Sequence, residues 1–459
     1  MMKIFRSWEL TEDKVRELLT RPFADEVEVT DTFMERTKSV WGEPLSPEEV
    51  VTRILGQVQA RGDEAVIEYV AHLDGAHLTT DTLWVSEAEW EEALEQVSED
   101  FMQALKTACN NIEQYHAQQK PQSWITVEAD GSILGQRVTP LDRVGIYVPG
   151  GTAPLVSTVL MCALPARVAQ VEEVIMASPI GASDVMNPYI LAAARLAGVD
   201  RVLKVGGAQA IAALAYGTET IPAVDKIVGP GNIFVTLAKK MVYGRVGIES
   251  LAGPSEILVI ADETANARHL AADLLSQAEH DPEAASILLT DSERLARQVR
   301  TEISIQLESL GRQAIARLSL KKNGLILVCR DLDEAAAWAN VCAPEHLELC
   351  VAQPFAMLHL IRHAGAVFLG HIGCEPIGDY IAGPNHVLPT NGTARFSSPL
   401  GTEDFVKRSS IISYTEAGLA QFGPDAIRLA MVEGLDAHAN AIRVRLQALG
   451  EKQEGAECE

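Results

Sequence analysis

The chain has 459 residues, 47% of them hydrophobic and 22% charged, and its formal net charge at pH 7 is -25. This length predicts about two to four domains rather than one core. So large an excess of acidic residues repels nucleic-acid phosphates and anionic membranes, which argues against both as partners. The N-terminus shows no apolar signal segment, and no run of about 18 apolar residues predicts a membrane span.

The cysteines predict a reducing, intracellular environment. Seven of them stand at scattered positions without a C-x-x-C pair, which is typical of reduced thiols in a cytoplasm. We therefore expect a cytoplasmic protein whose thiols are packed in its core, apart from Cys458, which lies in a polar tail that predicts disorder.

The N-terminal third predicts helices. Its first 40 residues have the pattern of one or two polar helices. Ser46 followed by Glu49 is a capping-box pattern, which predicts a helix over 47–61. Further helices are predicted over 87–97 and 99–119.

The sequence pattern changes at Arg143, where short apolar runs begin to alternate with predicted helices rich in small residues. The runs predict strands at 143–148, 172–178, 201–205 and 225–228. Alternation of strand and helix predicts a mainly parallel sheet with helices on both faces.

A second α/β set follows the boundary that we place near Gly253-Pro254. Its first predicted strand, at 256–261, precedes a long helix over 265–280, and further strands are predicted at 286–290, 325–329, 347–351 and 366–369. The stretch 370–410 is rich in Gly, Pro, Asn and Ser and predicts an ordered functional loop. The remainder, to about residue 449, has a helical pattern.

Two glycine-rich turns each follow a predicted strand and open a predicted helix. They are PGGTAP at 149–154 and GPGN at 229–232. Such turns place backbone N–H groups at a helix N-terminus, where a phosphate can bind. Neither has the G-x-G-x-x-G pattern, so nucleotide binding and plain tight turns both remain open.

Two polar pairs could carry chemistry. Gln277 and His280 in DLLSQAEHDP are three apart, hence on one helix face, which suits either zinc ligation or ordinary surface and cap contacts. Glu345 and His346 in APEHLEL precede a predicted strand, as a general-base pair or as a solvated turn.

Two further segments carry candidate ligands. Asp379 and His386 lie among Gly and Pro in EPIGDYIAGPNHVLPT, where a carboxylate could bind metal or simply make a turn. Glu433 and His438 lie in EGLDAHANA on a predicted late helix, five residues apart and so not on one face. No spacing rule predicts that these distant segments converge.

Taken together, seven segments resemble the histidinol dehydrogenase family. In chain order they are VGIYVPGGTAPLVSTVLMCALPARVA, KVGGAQAIAALAYGTETIPAVDKIVGPGN, IESLAGPSEILVIAD, DLLSQAEHDP, APEHLEL, GDYIAGPNHVLPTNGTARFSS and EGLDAHANAI. They match the family's order over about residues 143 to 442, and the N-terminal part is similar to the family's helical lead-in.

The resemblance implies the oxidation of L-histidinol, through L-histidinal, to L-histidine, with one Zn²⁺ per subunit and two NAD reduced in turn. It implies the zinc ligands Gln277, His280, Asp379 and His438. It implies proton acceptors at Glu345 and His346, and an NAD site lined by Tyr147, Gln209 and Asn232. The implied substrate contacts are Ser255, His386 and Glu433, together with His346 and the four zinc ligands.

The resemblance also implies an α/β fold of two incomplete Rossmann-like lobes with parallel-rich sheets, plus small helical terminal segments, assembled as an intertwined homodimer. We accordingly expect an N-terminal helical segment at 1–42 and a C-terminal one at 401–459. The larger lobe, with the zinc and catalytic residues, should comprise 43–146 and 255–400. The NAD-side lobe should comprise 147–254.

The sequence departs little from the family pattern. The loop reads GHIGCEPIGDY, where the family usually has Thr-Pro before the Glu, and we interpret Cys374 as a packed thiol. IESLAGPSE stands for IDMPAGPSE and leaves Ser255 intact.

Two alternatives differ in function. A paralogue of the same fold could oxidise another small polar alcohol, such as a sulfonated diol, but should alter the Glu-His pair and the substrate contacts. A non-catalytic metal-binding or scaffold homologue should lack a base or a ligand. The chain keeps all of these residues, which favours the histidinol-oxidising enzyme.

Overall fold

A computed structural model describes residues 2–23, 31–150, 155–181 and 185–456. The chain divides into two compact units. The first comprises Met1–Lys120 and Leu141–Phe405, and the second comprises Pro121–Pro140 and Val406–Glu459.

Strands and helices are numbered in chain order. The strands are β1 (Lys3–Arg6), β2 (Trp124–Val127), β3 (Ile133–Pro140), β4 (Arg143–Tyr147), β5 (Glu173–Ala177), β6 (Arg201–Leu203), β7 (Lys226–Val228), β8 (Gly247–Ile248), β9 (Glu256–Ala261), β10 (Ala285–Thr290), β11 (Gly324–Val328), β12 (His346–Cys350), β13 (Ala366–Leu369) and β14 (Val406–Ser413). The helices of the N-terminal third are α1 (Glu12–Leu19), α2 (Asp31–Trp41), α3 (Pro47–Arg61), α4 (Asp63–Tyr69), α5 (Glu87–Glu95) and α6 (Glu99–Ala117). The later helices are α7 (Val156–Val168), α8 (Pro188–Leu196), α9 (Gly207–Tyr216), α10 (Ile233–Val242), α11 (Ala267–Ala278), α12 (Glu293–Leu307), α13 (Gln313–Asn323), α14 (Leu332–Cys342), α15 (Pro354–Met357), α16 (Glu375–Ile377), α17 (Glu416–Val432) and α18 (Asp436–Ala456).

A six-stranded parallel sheet lies in the first unit, in the order β1-β11-β10-β9-β12-β13. Strands β9 and β10 are buried along their whole length, as expected for a parallel sheet covered on both faces. Ile257 and Val259 pack with α11 and α12 in one core, whereas Leu258 and Ile260 pack with α14 in another. Alternate residues of one strand thus serve the two faces.

A five-stranded parallel sheet lies in the same unit, in the order β6-β5-β4-β7-β8. Numbered from its first strand, this order is 3-2-1-4-5, which is most of a Rossmann sheet. The order β11-β10-β9-β12-β13 in the larger sheet is the same 3-2-1-4-5. The α/β fold of two incomplete Rossmann-like lobes with parallel-rich sheets is therefore confirmed.

The second unit contains an antiparallel sheet in the order β14-β3-β2 and the helices α17 and α18. Strand β14 pairs with β3 from Val406–Pro140 to Ser413–Ile133. All four residues of β2 are exposed.

Local predictions hold best where a local signal exists. Helix α3 spans the predicted 47–61 and begins with the predicted capping box, because Ser46 Oγ accepts from Glu49 N and Glu49 Oε2 accepts from Ser46 N. Two strands arise where helices were predicted. Strand β1 lies within the first 40 residues and pairs with β11, and β14 begins the predicted helical C-terminus.

The cysteines fit the predicted reduced state. Cys109, Cys162, Cys329, Cys342 and Cys350 are free and buried, and Cys374 is free and half-buried. Cys458 lies outside the described residues. No helix in the described parts of the chain is long and apolar enough to cross a bilayer.

Candidate active site

Glu345 and His346 lie at the start of β12, and both are buried, with 5% and 3% of their surface exposed. The alternative interpretation of this pair as a solvated turn is therefore wrong. Their position follows from the sheet, because His346 pairs in register with Ile257 of the neighbouring β9.

The backbone of Glu256, the first residue of β9, holds both side chains of this pair. His346 Nδ1 lies 3.0 Å from the Glu256 carbonyl oxygen, and Glu256 N donates to Glu345 Oε2 at 2.8 Å. Because a carbonyl oxygen only accepts, His346 must carry a proton on Nδ1, which directs Nε2 away from β9. Sequence reasoning did not single out Glu256 for this role.

Asp379 lies on the opposite side of the His346 ring. Its Oδ1 is 3.6 Å from His346 Nε2, longer than a normal hydrogen bond, and this buried Nε2 has no hydrogen-bond partner among the described residues. Asp379 belongs to a π-helical turn, Gly378–Ala382, that follows α16. The turn therefore presents a carboxylate to the imidazole without fully engaging it.

Glu375 is a further carboxylate at this place that sequence reasoning missed. Ligand atoms of His346, Glu375 and Asp379 all lie within 4.8 Å of one another, as a metal ion would require. Glu375 N donates to Glu348 Oε1 at 2.9 Å, and Ser276 Oγ donates to Glu375 Oε2 at 3.1 Å. The only sequence signal for Glu375 was its spacing, four residues before Asp379 on a short helical segment.

The buried charges shift each other's proton affinities. Burial raises the pKa of Glu345 to about 8, against the opposing effect of His346. Burial lowers the pKa of His346, but the carboxylates of Glu345 and Asp379 outweigh it and raise that pKa to about 10. Burial raises the pKa of Asp379, but His346 and His386 outweigh it and lower that pKa to about 2. Asp379 is therefore ionised at neutral pH.

His386 lies in the same cleft and is held at both ring nitrogens. Its Nδ1 lies 3.0 Å from the Asp379 carbonyl oxygen, and its Nε2 lies 3.3 Å from Thr158 Oγ1 on α7. Desolvation lowers the pKa of His386 more than Asp379 raises it, so the ring is neutral at pH 7. The neighbouring Asn385 fixes the loop by donating from Nδ2 to the Met161 carbonyl oxygen at 2.7 Å.

A cavity of about 420 Å³ opens between these groups. His346, Asp379 and His386 line it, together with Tyr115 and Phe368. A pocket of this size, with a few convergent polar groups, suits a small polar ligand.

Gln277 and His280 take different positions at the end of α11. Gln277 is buried in the last turn of the helix, and its Oε1 has no hydrogen-bond partner among the residues described. His280 is exposed in the turn beyond the helix end, so the prediction that the helix carries both is correct for Gln277 only. Ser276, next to Gln277, is the residue that binds Glu375. The half-buried Ser255 immediately precedes β9.

The predicted cofactor residues lie on the five-stranded sheet and on the helices that follow its strands. Tyr147 ends β4, is buried, and accepts a hydrogen bond at its hydroxyl from Gly207 N at 3.0 Å. Gln209 is buried on α9 with an unpartnered Oε1 among the described atoms. Asn232 caps α10, accepting at Oδ1 from Phe234 N and Val235 N at 3.1 and 3.2 Å.

The turns at this edge differ in how much is described. β4 and β7 are neighbours at the reversal of strand order, the usual place for a ligand in such a sheet. The turn 149–154 that follows β4 lies mostly outside the described residues. The turn 229–232 that follows β7 is described throughout and begins at Gly229.

Glu433 and His438 belong to the second unit, where both are exposed. Glu433 follows the last residue of α17, and His438 lies in the first turn of α18. The prediction that one helix carries both is wrong, because the chain breaks helix at Gly434, which has a φ of +73°.

The site combines the buried Glu345-His346 pair with the ionised Asp379 and the neutral His386, in a chain with two Rossmann-like lobes. These features are those of an enzyme of the oxidoreductase class. The sequence profile of the family described as Histidinol dehydrogenase matches residues 43–446. The chain belongs to the histidinol dehydrogenase family, as its motifs implied.

Individual relatives agree with this assignment. Histidinol dehydrogenase of Syntrophotalea carbinolica is 54% identical over 88% of this chain and 94% of its own length. That of Geobacter sulfurreducens is 52% identical over 87% and 93%. The crystal structure of histidinol dehydrogenase from Elizabethkingia anophelis superposes with a TM-score of 0.90 at 37% identity, covering 98% of this chain and 99% of that one.

Proposed function

We propose that this enzyme oxidises L-histidinol to L-histidine through enzyme-bound L-histidinal, with NAD as the oxidant and a zinc ion at the substrate site. The observation that carries the proposal is the buried Glu345-His346 pair, whose His346 lines a cavity of about 420 Å³ together with the nearby Asp379. In the cell we propose a cytoplasmic homodimer, in keeping with the family resemblance.

The donor set fits a zinc ion. The buried Gln277 Oε1 lacks a hydrogen-bond partner among the described residues, and Asp379 offers an ionised carboxylate. Nitrogen and oxygen ligands suit Zn²⁺. We propose Gln277, His280, Asp379 and His438 as the ligands, as the family resemblance implies. Glu375, which lies in one cluster with Asp379 and His346, would then be a neighbouring carboxylate of the ligand Asp379.

The cofactor site is proposed at the reversal of strand order in the five-stranded sheet, with Tyr147, Gln209 and Asn232 lining it. Its support is the neighbouring β4 and β7 and the unpartnered, buried Gln209 Oε1. When bound, zinc would orient the alcohol and NAD would accept one hydride in each of two oxidations.

The base pair supplies the proton transfers. In the first oxidation the alcohol loses a hydride and a proton, and His346 Nε2 takes the hydroxyl proton. The pKa of His346 falls when a cation neutralises Asp379, which frees Nε2 to act as a base at pH 8 to 9. Glu345 then removes a proton from water as it adds to the aldehyde. After His346 has released its first proton to solvent, the hydrate would lose its hydride to NAD and its hydroxyl proton to His346.

The remaining predicted residues would position the substrate. His386 is neutral and held by Thr158, so it can exchange a hydrogen bond with a polar group of the alcohol. We propose Ser255 and Glu433 as further substrate contacts. Keeping the aldehyde bound between the two oxidations would prevent loss of a reactive intermediate.

The test is NADH formation with L-histidinol and, in parallel, with a sulfonated diol, before and after zinc removal by a chelator. We expect turnover with L-histidinol that chelation abolishes and added zinc restores. Turnover with the diol alone would favour the paralogous activity. No turnover with either alcohol, in protein that holds zinc, would contradict the proposed reaction.

A further inference from the structure

A buried ion pair grips the turn that follows β7. Lys239 on α10 and Glu249, just after β8, lie 2.6 Å apart, with 2% and 4% of their side chains exposed. Lys239 Nζ also donates to the Gly229 carbonyl oxygen at 3.0 Å, and Gly229 N donates to Glu249 Oε1 at 2.8 Å. One ion pair therefore satisfies both backbone polar groups of Gly229.

Gly229 connects the ion pair to the proposed cofactor residues. Its φ is +114°, and a Cβ atom added to it would lie 2.1 Å from the Tyr147 carbonyl oxygen. The backbone thus passes against Tyr147 at the end of β4, and the turn reaches Asn232 three residues later. A displacement of Gly229 would move both residues.

Stability alone does not account for charges at this place. A buried ion pair costs desolvation energy that its own attraction often fails to recover, and apolar side chains of similar size commonly replace it without loss of stability. Glu249 Oε2 is buried and has no hydrogen-bond partner within the described ranges, which adds to the cost. The charged hydrogen bonds instead fix the orientation of the N–H group and of the C=O group of Gly229.

The same helix also holds the segment that leads to the base pair. Glu249 begins the connection from β8 to β9, and Thr236 on α10 donates from Oγ1 to the Ala252 carbonyl oxygen at 3.1 Å. That connection ends at Glu256, whose backbone holds Glu345 and His346. Helix α10 is therefore joined to the turn at Gly229 and to the start of β9.

We infer that Lys239 and Glu249 are positioning residues that fix the cofactor-binding turn against the segment carrying the base pair. The inference rests on the proposed NAD site at this turn. Neither residue touches the cleft lined by His346 and Asp379. Their loss should therefore weaken NAD binding more than it weakens zinc or L-histidinol binding.

The test uses full-length, zinc-loaded protein and measures the Kd for NAD, the KM for NAD, the KM for L-histidinol, the zinc content and the thermal midpoint. Glu249→Gln keeps an acceptor but removes the charge, and we expect it to raise the Kd and KM for NAD about tenfold, the scale of one charge-assisted hydrogen bond. Glu173→Gln is the matched control, because Glu173 pairs with Arg143 at the amino ends of the strands of the same sheet, away from the turn at Gly229.

A second variant separates positioning from folding. Lys239→Met combined with Glu249→Met removes the unpaired charge that Glu249→Gln leaves on Lys239, but it also leaves the N–H and C=O groups of Gly229 without their side-chain partners. Positioning predicts that NAD affinity stays low in this double variant. Recovery of NAD affinity together with stability, or wild-type NAD affinity in Glu249→Gln, would overturn the inference. Absence of NAD binding in the wild-type enzyme would instead contradict the proposed function.

Discussion

The two parallel sheets of the first unit share the strand order 3-2-1-4-5, but their functional groups lie at opposite ends of the strands. In the five-stranded sheet these groups follow the carboxyl ends of β4 and β7, the usual place in such folds. In the six-stranded sheet Glu256, Glu345 and His346 lie at the amino ends of β9 and β12.

The difference shows two ways of building a site from one topology. At the carboxyl ends of the strands, the site uses backbone groups in glycine-rich turns. Glycine has no Cβ atom, so these turns can pass close to neighbouring strands. The amino-end edge has backbone N–H groups to satisfy, and buried carboxylates accept from them. Glu256 N donates to Glu345, and Asn391 N donates to Glu256. Charge is therefore concentrated at the edge proposed for acid–base chemistry.

The largest expected effect is at the amino-end edge. His346→Asn should lower kcat about 10³-fold, because it removes the proposed proton acceptor, whose typical contribution is 10²- to 10⁴-fold. Steady-state NADH formation with L-histidinol measures it. His359→Asn, an exposed histidine on the surface after α15, is the control and should keep wild-type kcat. A His346→Asn variant with more than about a tenth of wild-type kcat would show that His346 is not the proton acceptor.

The next effect concerns metal. Asp379→Asn should weaken zinc binding about 100-fold, since it removes an ionised ligand. Competition with a chromophoric chelator measures the affinity independently of turnover. Asp200→Asn, which removes a carboxylate paired with Arg167 in the other lobe, should leave zinc affinity unchanged. Equal zinc affinities in the two variants would argue that the metal binds elsewhere.

The pH dependence should show the raised pKa of Glu345. A carboxyl acts as a base only when it is ionised, so its contribution appears as the pH rises through its pKa of about 8. Oxidation of added L-histidinal should therefore accelerate about tenfold between pH 7 and 9. Glu345→Asp should shift this limb, and Glu345→Gln should remove it. A rate that stays flat over that range in the wild-type enzyme would contradict the assignment.

The smallest effect distinguishes close packing from backbone strain at the carboxyl-end edge. Gly229→Ala adds a Cβ against the Tyr147 carbonyl oxygen, whereas Gly244→Ala, at a φ of +97°, meets nothing within 4 Å. Both substitutions carry strain of about 1–2 kcal/mol. Gly229→Ala should cost about 1 kcal/mol more in the free energy of unfolding, measured by denaturant titration, because the backbone must move. Equal costs would show that the close approach at Gly229 is easily relieved.

The sequence predicts what local patterns encode. Helix α3 begins at a capping box, and β9 is an uninterrupted apolar run, so both have their predicted bounds. Strand β1 is short and only partly buried, and its partner β11 lies about 320 residues away, so no local pattern could reveal it.

Convergence at the site depends on similar long-range pairing. Glu345 and His346 were predicted, but the backbone of Glu256 that holds them is about 90 residues earlier. Glu375 reaches the cluster through a turn whose geometry its own spacing does not specify. Gln277 and Asp379 were candidates from their own segments, but only the family resemblance assigned them to one site, because it carries three-dimensional information that periodicity does not.

The most direct test of the central claim counts NADH in a single turnover, with zinc-loaded enzyme and NAD in excess over L-histidinol. The account predicts two NADH per L-histidinol in the wild-type enzyme and one in Glu345→Gln, which should stop at the aldehyde because water is not activated. One NADH per L-histidinol in the wild type, or two in the variant at an unchanged rate, would contradict the assignment of both oxidations to this site.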